Sequence, residues 1–124
     1  FDRYDVGSTS FAGQAIPGVP EHYGQGFVTA RARSAFATLE WTGSSAAAAN
    51  DAGTVQGDGF SVWNLRLGAS ASRMAGVVLE PTLSVENLFD RRYASSLVIN
   101  ATRNRFFEPG LPRRLAFVMQ VRRD

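Results

Sequence analysis

The 124-residue chain contains no cysteine, no lysine and one histidine, His22. Without cysteine there is neither a disulfide frame nor a thiolate metal site. Arginine is therefore the only basic side chain besides that histidine. The formal net charge of +2 is too small to point to a polyanionic partner such as nucleic acid. No window approaches the ~18 continuous apolar residues of a transmembrane helix. That absence does not reach transmembrane β-strands, which need only ~9–11 residues and alternate polar with apolar side chains. Helical periodicity is missing too, and the chain reads as strands and turns from end to end.

What is present is period-2 alternation. In the last run Leu115, Phe117, Met119 and Val121 face one way, and Arg114, Ala116, Val118, Gln120 and Arg122 the other. Residues 77–86 repeat the design, with Val77, Leu79, Pro81, Leu83 and Val85 opposite Glu80, Thr82, Ser84 and Glu86. Between Phe60 and Ala71, Trp63, Leu65, Leu67 and Ala69 oppose Asn64, Arg66 and Gly68. From Ala35 to Thr42, Ala35, Ala37, Leu39 and Trp41 oppose Thr38, Glu40 and Thr42. A fifth strand is expected over His22 to Arg33, with Val28, Ala30 and Ala32 facing away from Gln25, Thr29, Arg31 and Arg33. A sixth is expected over Phe1 to Phe11.

The connections alternate in length. Arg33-Ser34 and Ser70 to Gly76 are short, whereas Gly43 to Gly59 is long, polar and rich in Gly, Ala and Ser. Residues 12–21 (AGQAIPGVPE) form another turn-rich link. Long and short loops on alternate ends are the product of an up-and-down antiparallel barrel. Alternation alone fits two architectures. In a soluble sandwich the apolar rows meet each other and the charges face water. In a membrane barrel the apolar rows meet lipid and the charges line a wet lumen. The start at Phe1, with no initiator methionine, suggests a piece of a larger protein.

Catalytic chemistry finds little material. A Ser/His/Asp triad would have to use His22, and no nucleophile elbow accompanies it. Asp2, Asp5, Asp51 and Asp58 are scattered through loops and strand ends without metal-ligand spacing, and Asp51 and Asp58 are expected to solvate a long loop. GQAIPG and GQGF lack both the phosphate-loop pattern and a following helix. The arginines are divided between faces and turns, which argues against nucleic acid.

One stretch breaks the alternation. VENLFDRRY, followed by INATRNRFFEPGLPRRLAFVMQV, resembles the carboxyl end of the TonB-dependent outer-membrane receptors. In that family an Asn-Leu-Phe-Asp motif and then a Tyr lie in the penultimate strand, and a Pro-Gly-x-Pro-Arg turn leads into the last. Here these are Asn87, Leu88, Phe89, Asp90 and Tyr93, then Pro109, Gly110, Pro112 and Arg113. GQAIPGVPEHYGQGF (13–27) and GDGFSVWNLRLG (57–68) resemble segments that open earlier strands of the same barrels.

The resemblance implies an all-β fold of antiparallel up-and-down transmembrane strands, about the last six of a barrel of about 22. Residues 1–124 would be its C-terminal part, without the N-terminal plug domain. It implies an outer-membrane active transporter that imports a scarce ligand, a ferric siderophore or a vitamin-like cofactor, with no covalent chemistry and no cofactor of its own. Partners would be outer-membrane lipid and lipopolysaccharide, the barrel-assembly machinery, the imported small molecule, and the TonB complex through the absent N-terminal region. Asn87 to Asp90 would form a bulge where the strand leaves the lipid core, with Phe89 and Tyr93 as interfacial anchors and Leu97 to Ile99 resuming pairing. Asn100, Arg103 and Arg105, near the last outer loop's tip, are the ligand-facing candidates, suited to an anionic chelate. Their plainer role is to pair loop strands or to bind surface polysaccharide phosphates. The family usually ends on an aromatic residue, where this chain has Arg123 and Asp124. Rival readings are a passive porin or adhesin barrel, a soluble β-sandwich binding module, and a non-functional remnant.

Overall fold

The computed structural model describes residues 5–10, 12–69, 72–74 and 76–123. In chain order the strands are β1 Asp5–Val6, β2 Thr9–Ser10, β3 Tyr23–Ala32, β4 Ala35–Ser44, β5 Ala47–Ala48, β6 Gln56–Gly57, β7 Phe60–Ala69, β8 Ser72–Met74, β9 Val77–Glu86, β10 Ala94–Leu97, β11 Phe107–Pro109 and β12 Arg114–Arg123. The five long strands each have 10 residues. They form one sheet in the order β12-β9-β7-β4-β3, with β8 also paired to β9. That order follows the chain, so the sheet is a meander.

Pairing is antiparallel. Arg114↔Glu86 through Arg123↔Val77 joins β12 to β9 without interruption. Leu65↔Val85 through Gly68↔Thr82 joins β7 to β9. Strand β8 then pairs Ser72↔Leu79 through Met74↔Val77, a register that differs by one residue. Glu80 and Pro81 lie between these two ladders, a place where a proline without N–H is tolerated in an inner strand. The short connections leave one end of the sheet and the long ones the other. The long ones carry two small sheets of their own, β5-β6 and β10-β11.

Register fixes what each face carries. Leu115, Val85 and Leu65 form one cross-strand row, and Phe117, Leu83 and Leu67 the next. Met119 opposite Pro81 and Val121 opposite Leu79 continue the same face. Trp41 and Trp63 belong to it as well, 6.4 Å apart, with Trp41 Nε1–H donating to Ser61 Oγ at 2.9 Å. The other face carries ion pairs, Arg66–Glu40 at 3.3 Å, Arg114–Glu86 at 3.7 Å and Arg122–Glu80 at 3.7 Å. Thr29 and Thr38 share a hydrogen bond there at 2.9 Å.

The apolar face is uncovered. Leu115 is 70% exposed, Phe117 65% and Val121 62%. Burying such side chains is worth roughly 1.5–3 kcal/mol each, so the row leaves several kcal/mol unrealised. Among the described residues of the sheet, the buried hydrophobics are Val62 and Val78, both at even positions on the charged side. The outer edges of β3 and β12 have no strand beside them among the described residues.

Several expectations are corrected. Of the sixth strand expected over Phe1 to Phe11, the described residues 5–10 make instead a hairpin of two-residue strands, Asp5↔Ser10 and Val6↔Thr9, while Phe1–Tyr4 and Phe11 lie outside the described residues. Gly7, at φ 62°, makes that reversal, and so short a pair is not part of the main sheet. The strand expected between Phe60 and Ala71 is described over Phe60–Ala69, with Ser70 and Ala71 outside the described residues. At Asn87 β9 stops rather than bulging, because two left-handed residues turn the chain away. Pairing resumes at Ala94 to Leu97, earlier than expected, and Ile99 lies in a turn.

Contacts divide the chain into two compact units. One comprises Phe1–Gly24, Gly43–Phe60 and Arg92–Gly110, the other Gln25–Thr42, Ser61–Arg91 and Leu111–Asp124. In the second, Gly68 has no space for a side chain, since a Cβ would collide with the Phe36 ring. Gly68→Val should therefore lower stability by about 1–3 kcal/mol, read as a shift in the denaturant midpoint. Adding Phe36→Ala should recover part of the loss. Gly26→Ala, where a Cβ meets nothing, should leave the midpoint unmoved.

Candidate functional site

The motif residues meet at a corner. Asn87 and Asp90 are left-handed, at φ 50° and 51°, a region that Asn and Asp enter more readily than other side chains. Asn87 is 2% exposed, the buried polar residue among those described. Its Nδ2 donates to the carbonyls of Arg91 (2.8 Å) and Leu111 (3.0 Å), and its Oδ1 accepts from the Arg91 N–H (2.9 Å). Its own N–H donates to Asn64 Oδ1 at 2.9 Å, and the Leu88 N–H to the Trp63 carbonyl at 2.7 Å. Asp90 Oδ1 accepts from the Arg113 N–H at 3.0 Å. The end of β9, the end of the long excursion before β12, and β7 are thus tied by two side-chain amides, Asn87 and Asn64, and one carboxylate, Asp90.

Tyr93, Pro109 and Gly110 belong to the first unit, the loop unit. The Tyr93 ring lies over Gly110, where any Cβ would strike it, and the Gly110 N–H donates to the Tyr93 carbonyl at 2.8 Å. Phe60 stacks at a tilt 5.0 Å from the same ring. Pro109 ends β11 opposite Ala94, and Pro112 is exposed in the approach to β12. Phe89 stands 64% exposed.

The three ligand-facing candidates differ in what occupies them. Asn100, left-handed at φ 53°, donates through Nδ2 to Asp51 Oδ2 at 2.8 Å and accepts from the Asp51 N–H at 3.1 Å. Its N–H donates to the Ala49 carbonyl at 3.0 Å. Asn100 is thus a clasp between two loops, and Asp51 does more than solvate. The partner turn is braced by Asn50, whose side chain accepts from the Val55 N–H and donates to Thr54 Oγ1. Arg103 and Arg105 stand exposed around the 3-10 turn Thr102–Asn104. Arg105 borders a hollow of about 610 Å³ with Val98, Ala101, Thr102, Phe107 and Glu108.

A second hollow, of about 400 Å³, escaped the sequence reading. Gln56, Asp58, Arg92, Tyr93 and Phe107 line it with Pro109. It offers a carboxylate, a guanidinium, an amide and two aromatic rings, a set that binds polar ligands. Three separate segments supply these groups, so no spacing along the chain announces them. His22 is engaged through its backbone, its N–H donating to Ser45 Oγ at 3.1 Å. Among the described residues, no three His, Cys, Asp or Glu side chains gather closely enough to hold a metal ion.

Asn87→Ala strands the Arg91 N–H and the carbonyls of Arg91 and Leu111, and should lower stability by about 2–4 kcal/mol in denaturant unfolding. Asn87→Gly, which keeps the backbone freedom but not the hydrogen bonds, should lose nearly as much. A loss confined to the alanine variant would assign the role to backbone conformation instead. Compared with models of protein families and with curated proteins, the chain matches none.

Proposed function

We propose that this chain is a stretch of wall from a transmembrane β-barrel of the bacterial outer membrane. The observation that carries the reading is the uncovered apolar face of a meander of equal strands. Ten residues at ~3.4 Å each, tilted by ~35–45°, rise about 24–28 Å, against an apolar band about 25 Å tall in such barrels. Lipid would cover Leu115, Phe117, Met119 and Val121, and neighbouring strands would take the open edges of β3 and β12. The ion-paired face would line a wet lumen.

Within that class we favour a TonB-dependent transporter importing a ferric siderophore or a vitamin-like cofactor. Support comes from the resemblance in the two C-terminal motifs and from their meeting, Asn87 with Leu111, Asp90 with Arg113 and Tyr93 with Gly110. Arg103 and Arg105 would offer cations to an anionic chelate. The mechanism is binding and gated passage, with energy from the inner membrane.

Single spin labels along β12 of the native polypeptide in its membrane test the wall. Collision with oxygen should peak at 115, 117, 119 and 121, and collision with a water-soluble nickel chelate at 116, 118 and 120. Odd positions shielded from both probes would mean a protein cover and a soluble sandwich. For transport, uptake of a ferric chelate by cells making the polypeptide should stop when a protonophore is added. Uptake indifferent to the protonophore would point to a passive porin.

A further inference from the structure

We infer that the hollow of about 400 Å³ in the loop unit is a binding site for a zwitterionic α-amino acid with an apolar side chain. The inference does not rest on the membrane-wall reading, because every residue lining the hollow belongs to the first compact unit. Three segments make it: Gln56 to Gly59, Arg92 to Ala94, and Phe107 with Pro109. Contacts within the unit hold them together. Ala94 pairs with Pro109 across the β10-β11 hairpin, and the Tyr93 carbonyl accepts from the Gly110 N–H at 2.8 Å. Phe60 braces the Tyr93 ring from 5.0 Å, and Gly57 lies against the Leu97 side chain. The walls therefore stand in place before a ligand arrives, which spares part of the ordering cost of binding.

Charge selects the ligand's polar end. Asp58 and Arg92 are exposed and line the same hollow. Neither has an ion pair or a side-chain hydrogen bond among the described residues, so the two are too far apart to neutralise each other. A simple anion would meet Arg92 but be repelled by Asp58, and a simple cation would meet the reverse. An ammonium and a carboxylate on one carbon satisfy both, each through a charge-assisted hydrogen bond. Gln56, also exposed, adds an amide that donates to a carboxylate or accepts from an ammonium.

Apolar surface selects the rest. Phe106 is 8% exposed, whereas Phe107 beside it is 48% exposed and lines the hollow. With the Tyr93 ring and Pro109 it forms a wall that an aliphatic or aromatic side chain would cover. A neutral sugar could hydrogen-bond to Gln56, but it would neutralise neither charge.

Ligand-observed magnetic resonance on the native polypeptide tests the site with phenylalanine and its two halves. Hydrocinnamate keeps the ring and the carboxylate without the ammonium, and phenethylamine keeps the ring and the ammonium without the carboxylate. The wild type should bind phenylalanine about three- to fivefold more tightly than either. D58A should bind phenylalanine no better than hydrocinnamate, and R92Q no better than phenethylamine. R122Q, which removes a charge from the sheet, should keep the wild-type preference. Equal wild-type affinity for phenylalanine and either half overturns the inference, as does the absence of binding. Binding of glucose in place of phenylalanine, lost in D58A, also overturns it by assigning the hollow to neutral polyols. None of these outcomes bears on the membrane wall, which the spin labels along β12 decide separately.

Discussion

The buried amide of Asn87 lets the last strand find its place. Between β9 and β12 the chain makes its longest excursion, residues 87–113, and closing such a loop costs entropy that grows with its length. Asn87 and Asp90 at its start bind the carbonyl of Leu111 and the N–H of Arg113 at its end. The two ends are thereby held together, and β12 starts in register with Arg114 opposite Glu86. Because Asn87 is shut away from water, its hydrogen bonds meet little competition, and losing one leaves a buried group unpaired.

From that register everything about the faces follows. Ten consecutive pairs between β12 and β9 put four apolar side chains of the last strand in line with Val85, Leu83, Pro81 and Leu79. A one-residue slip would exchange the faces, setting Arg114 and Arg122 among the leucines. The exposed ion pairs on the other side contribute little individually, about 0–1 kcal/mol each. They identify a wet surface more than they stabilise it. The sheet's larger reserve is the apolar row, which is realised only when something apolar covers it. Lipid does this in the reading favoured here.

The loop unit follows a different logic. Its order comes from turn residues and side-chain clasps, Asn50 on Val55, Asn100 on Asp51 and the Tyr93 ring on Gly110. Such loops offer varied polar groups on a braced frame, which suits recognition. Of the three candidates, Asn100 serves the frame, while Arg103 and Arg105 stand exposed beside it. The hollow with Asp58, Arg92 and Phe107 belongs to the same frame.

The sequence by itself determined the five long strands, their faces and the alternation of short and long connections. Side-chain period is a local property, and Leu115, Phe117, Met119 and Val121 express it without reference to any other segment. It also marked Asn87, Asp90, Tyr93 and Gly110 as unusual. Only the tertiary structure decided what they do, a strand end with a buried amide where a bulge was expected. The pairing of Asp51 with Asn100, 49 positions apart, was likewise invisible. Hydrogen bonds between loops depend on where distant backbone turns bring their donors, and no periodicity along one segment encodes that meeting.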